Sequence, residues 1–245
     1  GIKNTAIINF LRGDVFLVDN STLKKFDKKE YKSIGGFIEL ARKEGLLIEV
    51  PENKWIPYLV MDERIRGKED DALDIEVEIG AIDDIRGIFK EYSISQLTYF
   101  KEKEDKATVK NRGSNITRAK DFNGCIALSK ACASENRIDE QQYKFNMEYN
   151  SCWGKKLAIT KDGKIRPCIY SEIEIGDIKD GNIGNSIERA KEYWQITKDK
   201  VNTCKICELR YACFDCREIA LKMTRNIFAC NPFCTYNPRK GMWEK

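Results

Sequence analysis

The sequence predicts a mixed α+β fold: a small N-terminal β/helix unit, a single βα segment in the middle, and a C-terminal domain that combines a β-hairpin with many thiols. Three observations carry this. Strand-type alternation and helix-type spacing occur side by side along the chain. The 245 residues suit one large domain or two small ones. All ten cysteines lie beyond residue 124, and eight of them lie beyond Asn150, so the texture of the chain changes there.

Taken in order, "DVFLVD" (14–19) reads as a strand. Residues 28–45 read as an amphipathic helix with Tyr31, Ile34, Phe37, Ile38 and Ala41 on one face and Gly45 as its stop, although the paired Gly35 and Gly36 weaken its centre. "LLIEV" (46–50) reads as a further strand, and the prolines and charges of 51–72 as a linker. Ile75, Val77 and Ile79 alternate as in a half-buried strand, Ile82, Ile85, Ile88 and Phe89 follow at helical spacing, and "QLTYF" (96–100) is the next strand. Residues 101–123 are charged and irregular. Cys125 and Cys132 fall on one face of a short helix and read as small core residues sooner than as ligands. "KKLAITKDGKIRPCIY" is a hairpin around Asp162-Gly163, a dipeptide that favours a type I′ turn. "GNSIERAKEYWQI" is a helix with Asn185 as its cap and Glu188 three residues on.

Composition narrows the function classes. The chain is 42% hydrophobic and 33% charged, with a net charge of +4 spread over interleaved Lys and Glu, which describes a solvated surface and no nucleic-acid footprint. No run approaches the roughly 18 apolar residues of a membrane span. The opening "GIKNTAIINFLRGD" has only a short apolar patch and no small-residue cleavage site, so no signal peptide is read and a cytoplasmic location is expected. In that reducing compartment ten cysteines do not imply five disulfides. With no histidine in the chain, Ser–His and Cys–His catalytic pairs are excluded and every soft-metal ligand would be a thiolate.

The thiol spacing is the sharpest signal. Cys152 is followed by x10-Gly163-x4-Cys168, then by Cys204-x2-Cys207-x5-Cys213-x2-Cys216, and Cys230-x3-Cys234 closes the series. Each C-x2-C step lets two thiolates grip one centre from a tight turn, so the double knuckle alone would suit one four-thiolate zinc. That leaves four thiols over, whereas iron–sulfur clusters take thiolates from several sides and from distant parts of the chain. Spacing favours clusters and leaves zinc open.

This pattern resembles the SPASM domain, the C-terminal extension of many radical S-adenosylmethionine peptide maturases. The usual version has three residues between its last paired cysteines. The x2 form here, with "CELRY", "DCR" and "YNP" followed by "GMWE", looks like the maturase of the grasp-with-spasm peptide systems. The resemblance covers residues 150–245, and the strand-then-helix unit of 1–60 looks like a leader-binding front end. It implies two [4Fe–4S] clusters. Cys152, Cys168 and Cys216 would hold the first, with a fourth position open or filled by another group. Cys204, Cys207, Cys213 and Cys234 would hold the second, with Cys230 as the alternative to Cys234. Residues 61–149 would be a reduced βα remnant of the radical-enzyme barrel. The implied partners are a precursor peptide and a radical maturase or ATP-grasp protein.

The chain departs from the working enzymes of that family in its single βα unit, where their barrel needs several, and in its thiols. They carry C-x3-C-x2-C, and here Asn237 stands where Cys230-x3-Cys234 would need its third thiol. Cleavage of S-adenosylmethionine by these residues is therefore not expected. Three readings remain: a pseudo-radical maturase that binds peptide or conducts electrons, an enzyme acting through an open cluster site, and a zinc-bound scaffold. No acid or base stands out for catalysis. Arg166 and Arg217, beside ligands, are candidate donors to cluster sulfur or ordinary salt-bridge partners. Trp153 is a candidate shield or plain core, and 14–19 with the following helix is a candidate for strand addition or a closed small sheet.

Overall fold

The computed structural model describes residues 1–9, 12–47, 72–78, 85–100, 108–110, 122–132 and 138–244. It opens on an antiparallel hairpin, β1 (Asn4–Asn9) with β2 (Asp14–Asp19). β2 is the strand its alternation predicts. β1 reads in the sequence only as an apolar patch. Asp19 closes the hairpin and caps α1 (Asn20–Asp27), accepting from Thr22 N at 2.8 Å. The Ser21 and Thr22 hydroxyls hold its carboxyl down at about 2. The helix expected over 28–45 is divided. A 3-10 turn at Tyr31–Ile34 gives way to α2 (Gly35–Lys43) at the glycine pair, and the chain leaves α2 through Gly45 at φ +71°. Leu46 and Leu47 instead donate back to Ala41 O, and the rest of the expected "LLIEV" strand and the linker to residue 71 lie outside the described residues.

The centre of the fold is a six-stranded sheet in the order β5-β4-β3-β6-β7-β8. Its strands are β3 (Leu73–Glu78), β4 (Ile94–Phe100), β5 (Thr108–Lys110), β6 (Lys156–Ile159), β7 (Lys164–Arg166) and β8 (Gly176–Asp177). β3 is parallel to both β4 and β6, and the remaining pairs are antiparallel. The single βα unit is present as β3, α3 (Ile85–Ile88) and β4, while Ile79 and Ile82 lie outside the described residues. The division expected at 149/150 falls inside this sheet, because β3 and β6 are neighbours across it. The mixed α+β class expected from the sequence is the class observed.

Period-two geometry gives β3 two different faces. Leu73, Ile75 and Val77 join Leu157, Ile159 and Ile165 in the main core, covered by Ile187, Ala190 and Trp194 of α6 (Ile183–Trp194). Glu76, also buried, belongs to the opposite face. Asn182 caps α6, not Asn185, accepting from Asn185 N at 3.2 Å. The earlier start adds Ile183 to the apolar face that packs on the sheet.

The β6–β7 hairpin forms where expected but with a different turn. Gly163 has φ +90° and Asp162 is not left-handed, so the loop is a turn followed by one left-handed residue, not type I′. Thr160 explains the choice: its N–H donates to Lys164 O at 3.0 Å and its hydroxyl to Asp162 Oδ1 at 2.5 Å, which holds Asp162 in place. A Cβ at Gly163 would lie 3.0 Å from Ile178 Cγ1. Gly163→Ala is expected to cost about 1–2 kcal/mol, read as a lower urea midpoint at unchanged m-value.

Three further helices surround the thiols: α4 (Phe122–Cys132), α5 (Glu140–Glu148) and α7 (Arg217–Thr224). A two-stranded ribbon, β9 (Tyr236–Asn237) with β10 (Met242–Trp243), lies near the C-terminus. The first hairpin is seated against this ribbon, with Asn4 Nδ2 donating to Gly241 O at 2.8 Å and to Tyr236 Oη at 3.3 Å. Among the described residues no helix is long and apolar enough to cross a membrane.

Candidate functional site

The fold brings Cys152, Cys168 and Cys216 together from three elements. Cys152 lies in the turn after α5, where the Asn150 side chain accepts from Cys152 N at 3.0 Å and Trp153 N at 2.8 Å. Cys168 follows β7, and Cys216 is the N-cap residue of α7. The Cys152 and Cys216 thiols are hydrogen-bonded, which pulls the first below its ordinary range and pushes the second well above it. Burial pushes Cys168 up, and the nearby Glu76 and Cys152 add to this.

Glu76 anchors this group from the sheet. One of its oxygens pairs with Lys156 Nζ at 2.9 Å, and the other accepts from Ile169 N at 2.9 Å, just beyond Cys168. On the far side Glu218, in the first turn of α7, is almost fully buried, with Lys222 Nζ 3.6 Å from Oε1. Its Oε2 has no hydrogen-bond partner among the described residues. Burial raises its pKa, against the Ser171 hydroxyl and Lys222.

A second group gathers Cys204, Cys207, Cys213, Cys230 and Cys234. Cys204 Sγ and Cys230 Sγ are 3.5 Å apart, and Cys230 is also hydrogen-bonded to Cys234. Cys204 interacts electrostatically with Cys207 and Cys213, and Cys213 with Cys234. Hydrogen bonding from Cys230 pulls Cys234 down to about 6, and burial pushes Cys207 up to about 12. Both tail thiols thus belong to this group. Cys204 is presented by a strained backbone. Thr203 has φ +66° and ψ −45°, and Cys204 N donates to Asn202 O at 2.7 Å, the rarer form of γ-turn, here at a β-branched residue. Cys125 is half-buried on α4, and the Cys132 side chain lies outside the described residues.

Between the two groups lies a buried polar node that spacing does not announce. Asp215, between Cys213 and Cys216, is 1% exposed. Its carboxylate takes Arg217 Nη2, Asn150 Nδ2 at 3.1 Å and Lys198 Nζ at 3.5 Å. Lys198 Nζ also reaches Cys213 Sγ at 3.5 Å. Burial alone would lower the Lys198 pKa, but Asp215, then Cys213 and Cys204, outweigh it and raise it. Burial would raise Asp215, but Lys198 and Arg217 hold it down. The Asp215 backbone N–H also donates to Ser151 Oγ at 2.7 Å, next to Cys152.

Arg217 is fully buried, with Nη1 donating to Ile227 O at 2.8 Å and Ala229 O at 2.7 Å, so only Nε remains without a partner among the described residues. Arg166 donates to Ser171 O at 3.0 Å and faces Glu174. Trp153 is fully buried, edge-on to Tyr193. Among the described residues no three Cys, Asp or Glu side chains stand in the arrangement of a single metal ion. Cys204 Sγ and Cys230 Sγ, 3.5 Å apart, lie near the roughly 3.8 Å that a tetrahedral zinc imposes on its thiolates, and a cluster, which interposes several irons and sulfides, would hold its thiolates farther apart. The donor set, thiols in two groups with cationic and amide donors around them, fits a thiolate-held centre, cluster or zinc.

No family model matches the chain, and no solved structure matches it. The chain is 32% identical over 85 residues to AdoMet-dependent heme synthase of Oleidesulfovibrio alaskensis, covering 34% of this chain and 22% of that protein. It is 27% identical over 84 residues to AdoMet-dependent heme synthase of Nitratidesulfovibrio vulgaris, covering 34% and 23%. The matches span less than a quarter of the length of these curated relatives. Over about a third of its length, then, this chain is similar to S-adenosylmethionine-dependent heme synthases.

Proposed function

We propose that this chain is an iron–sulfur component of the radical S-adenosylmethionine type, with a SPASM-like domain that holds two [4Fe–4S] clusters and serves the maturation of a ribosomally made peptide. The observation that carries the reading is the sorting of eight thiols into two groups. Cys152, Cys168 and Cys216 would hold one cluster, with its fourth position open or taken by another group. Cys204, Cys207, Cys213 and one tail thiol, Cys234 before Cys230, would hold the other. Clusters held this way supply one-electron transfer. The chain's own residues position the thiols, bury them and surround them with charge.

The C-x3-C-x2-C motif is not among these residues, so a radical maturase or ATP-grasp partner would supply the chemistry that they do not. The β1–β2 hairpin is a two-stranded sheet, which supports capture of a leader peptide by strand addition. A second reading takes its support from the relatives named heme synthase: the same domain serving a porphyrin-type substrate. Anaerobically purified protein is expected to contain about eight irons and eight sulfides per chain. One or two zinc ions without sulfide would sink the cluster reading. Calorimetric titration with a leader-type peptide and with a porphyrin separates the two substrate readings. No 5′-deoxyadenosine is expected from the reconstituted chain alone.

A further inference from the structure

We infer that Lys198 is a positioning residue for the second thiol group, clamped over Cys213 by Asp215, and that its charge makes that group easier to reduce while leaving the first group unaffected. The inference rests on the two-cluster reading above and goes beyond it, because it assigns a role to residues outside the ligand set and predicts an asymmetry between the sites.

Lys198 is 6% exposed, Arg217 0% and Asp215 1%. Two cations share one carboxylate, so the buried trio carries one excess positive charge. Burying a charge is costly unless it is paired. The remaining contacts of Arg217 are the neutral carbonyls of Ile227 and Ala229. The remaining contact of Lys198 is Cys213 Sγ at 3.5 Å, with Cys204 also within electrostatic range. The excess positive charge thus faces Cys213 Sγ at 3.5 Å, and a compact ammonium with three donors suits a sulfur acceptor.

The first group is treated differently. Asp215 reaches it through Ser151, which accepts from Asp215 N at 2.7 Å, and through Asn150, whose amide donates to the carboxylate at 3.1 Å and whose oxygen accepts from Cys152 N and Trp153 N. The ammonium near the first group, Lys156, is matched by Glu76 at 2.9 Å, whereas Lys198 shares its carboxylate with Arg217. One-electron reduction adds one negative charge to a cluster, with no bond made or broken and no proton moved, and Lys198 keeps its charge throughout. Coulomb attraction therefore favours the reduced form at the second group, and in a water-poor interior it acts at greater strength than in water. Net charge and hydrogen bonds to the sulfurs are among the quantities that set cluster potentials.

The test is a dithionite-mediated redox titration of anaerobic protein followed by electron paramagnetic resonance, with the two signals assigned from Cys216→Ala and Cys204→Ala variants. Lys198→Met is expected to keep its iron and sulfide, to move the second-group potential downward and to leave the first in place. Lys198→Arg is expected to restore the position. Lys198→Gln, with a donor but no charge, serves as a second variant under the same criterion. Unchanged potentials, equal shifts at both groups, or Lys198→Arg behaving as Lys198→Met would overturn the inference. So would loss of iron from both uncharged variants, since Lys198 would then be needed for assembly and not for tuning. Failure of the two-cluster reading is separate, and would show as absent iron and sulfide in the unaltered protein.

Discussion

Cys168→Ala is expected to remove about half of the iron and sulfide and to leave the other half in place, and Cys207→Ala is expected to do the same for the other half. Cys168 is buried beside Cys152 and Cys216, and its electrostatic partners belong to that group together with Glu76, Lys156 and Glu218. Cys207 answers to Cys204 and Cys213. The two groups share a polar node and no thiol, so a cluster lost from one leaves the donors of the other intact. Combining both substitutions should abolish iron binding. Within the second group, Cys234→Ala is expected to lose the cluster and Cys230→Ala to keep it. The measurements are iron and sulfide per chain and the charge-transfer absorbance of each variant. Loss of all iron from either single variant would mean one shared centre and would defeat the two-site reading.

Arg217→Met should destabilise the protein by about 3–5 kcal/mol, since it breaks a buried ion pair and leaves other groups unpaired. The side chain is fully buried, holds Asp215, and ties the carbonyls of Ile227 and Ala229 to α7. Removing it strands two carbonyls and leaves Asp215 to Lys198 and Asn150 alone. The comparison is Arg210→Met. Arg210 is partly exposed, pairs with Asp199 at 2.9 Å and lies over the Tyr211 ring, and its removal should cost about 1 kcal/mol or less. Anaerobic urea unfolding of both variants measures the difference. Equal costs would show that the buried pair contributes no more than a surface one.

What could be read in advance follows physical lines. β3, β4, the β6–β7 hairpin and α6 carry clean periodicity because one side of each packs on a single core. α5 escaped because Tyr143, Phe145 and Met147 alternate at period two, a strand's signature on a helix. β1 escaped because its apolar residues are contiguous, and α1 because none of its residues is buried. The thiol series was legible because cysteine spacing is local. Asn150, Lys198, Asp215 and Arg217 were not read as one unit, because their meaning lies in distances that only tertiary structure creates. Asp215 lay in plain view between two cysteines, but nothing local says that an amide far upstream would meet it.

The position of β3 also has a bearing on synthesis. It is flanked on one side by β4, its next strand, and on the other by β6, about 80 residues later. At roughly 5–20 residues per second, a ribosome needs on the order of 4–16 seconds to deliver that second neighbour. Through this interval one edge of β3 has no native strand to pair with, and Ile75 and Val77 lack part of their cover. All of the site thiols but Cys152 also emerge after Ile159 has been made. β6 is thus delivered before most of the thiols, with Cys234 a further 75 residues on, and a chaperone that still shields β3 from β6 would also keep Cys152 and Cys168 from their places beside Cys216.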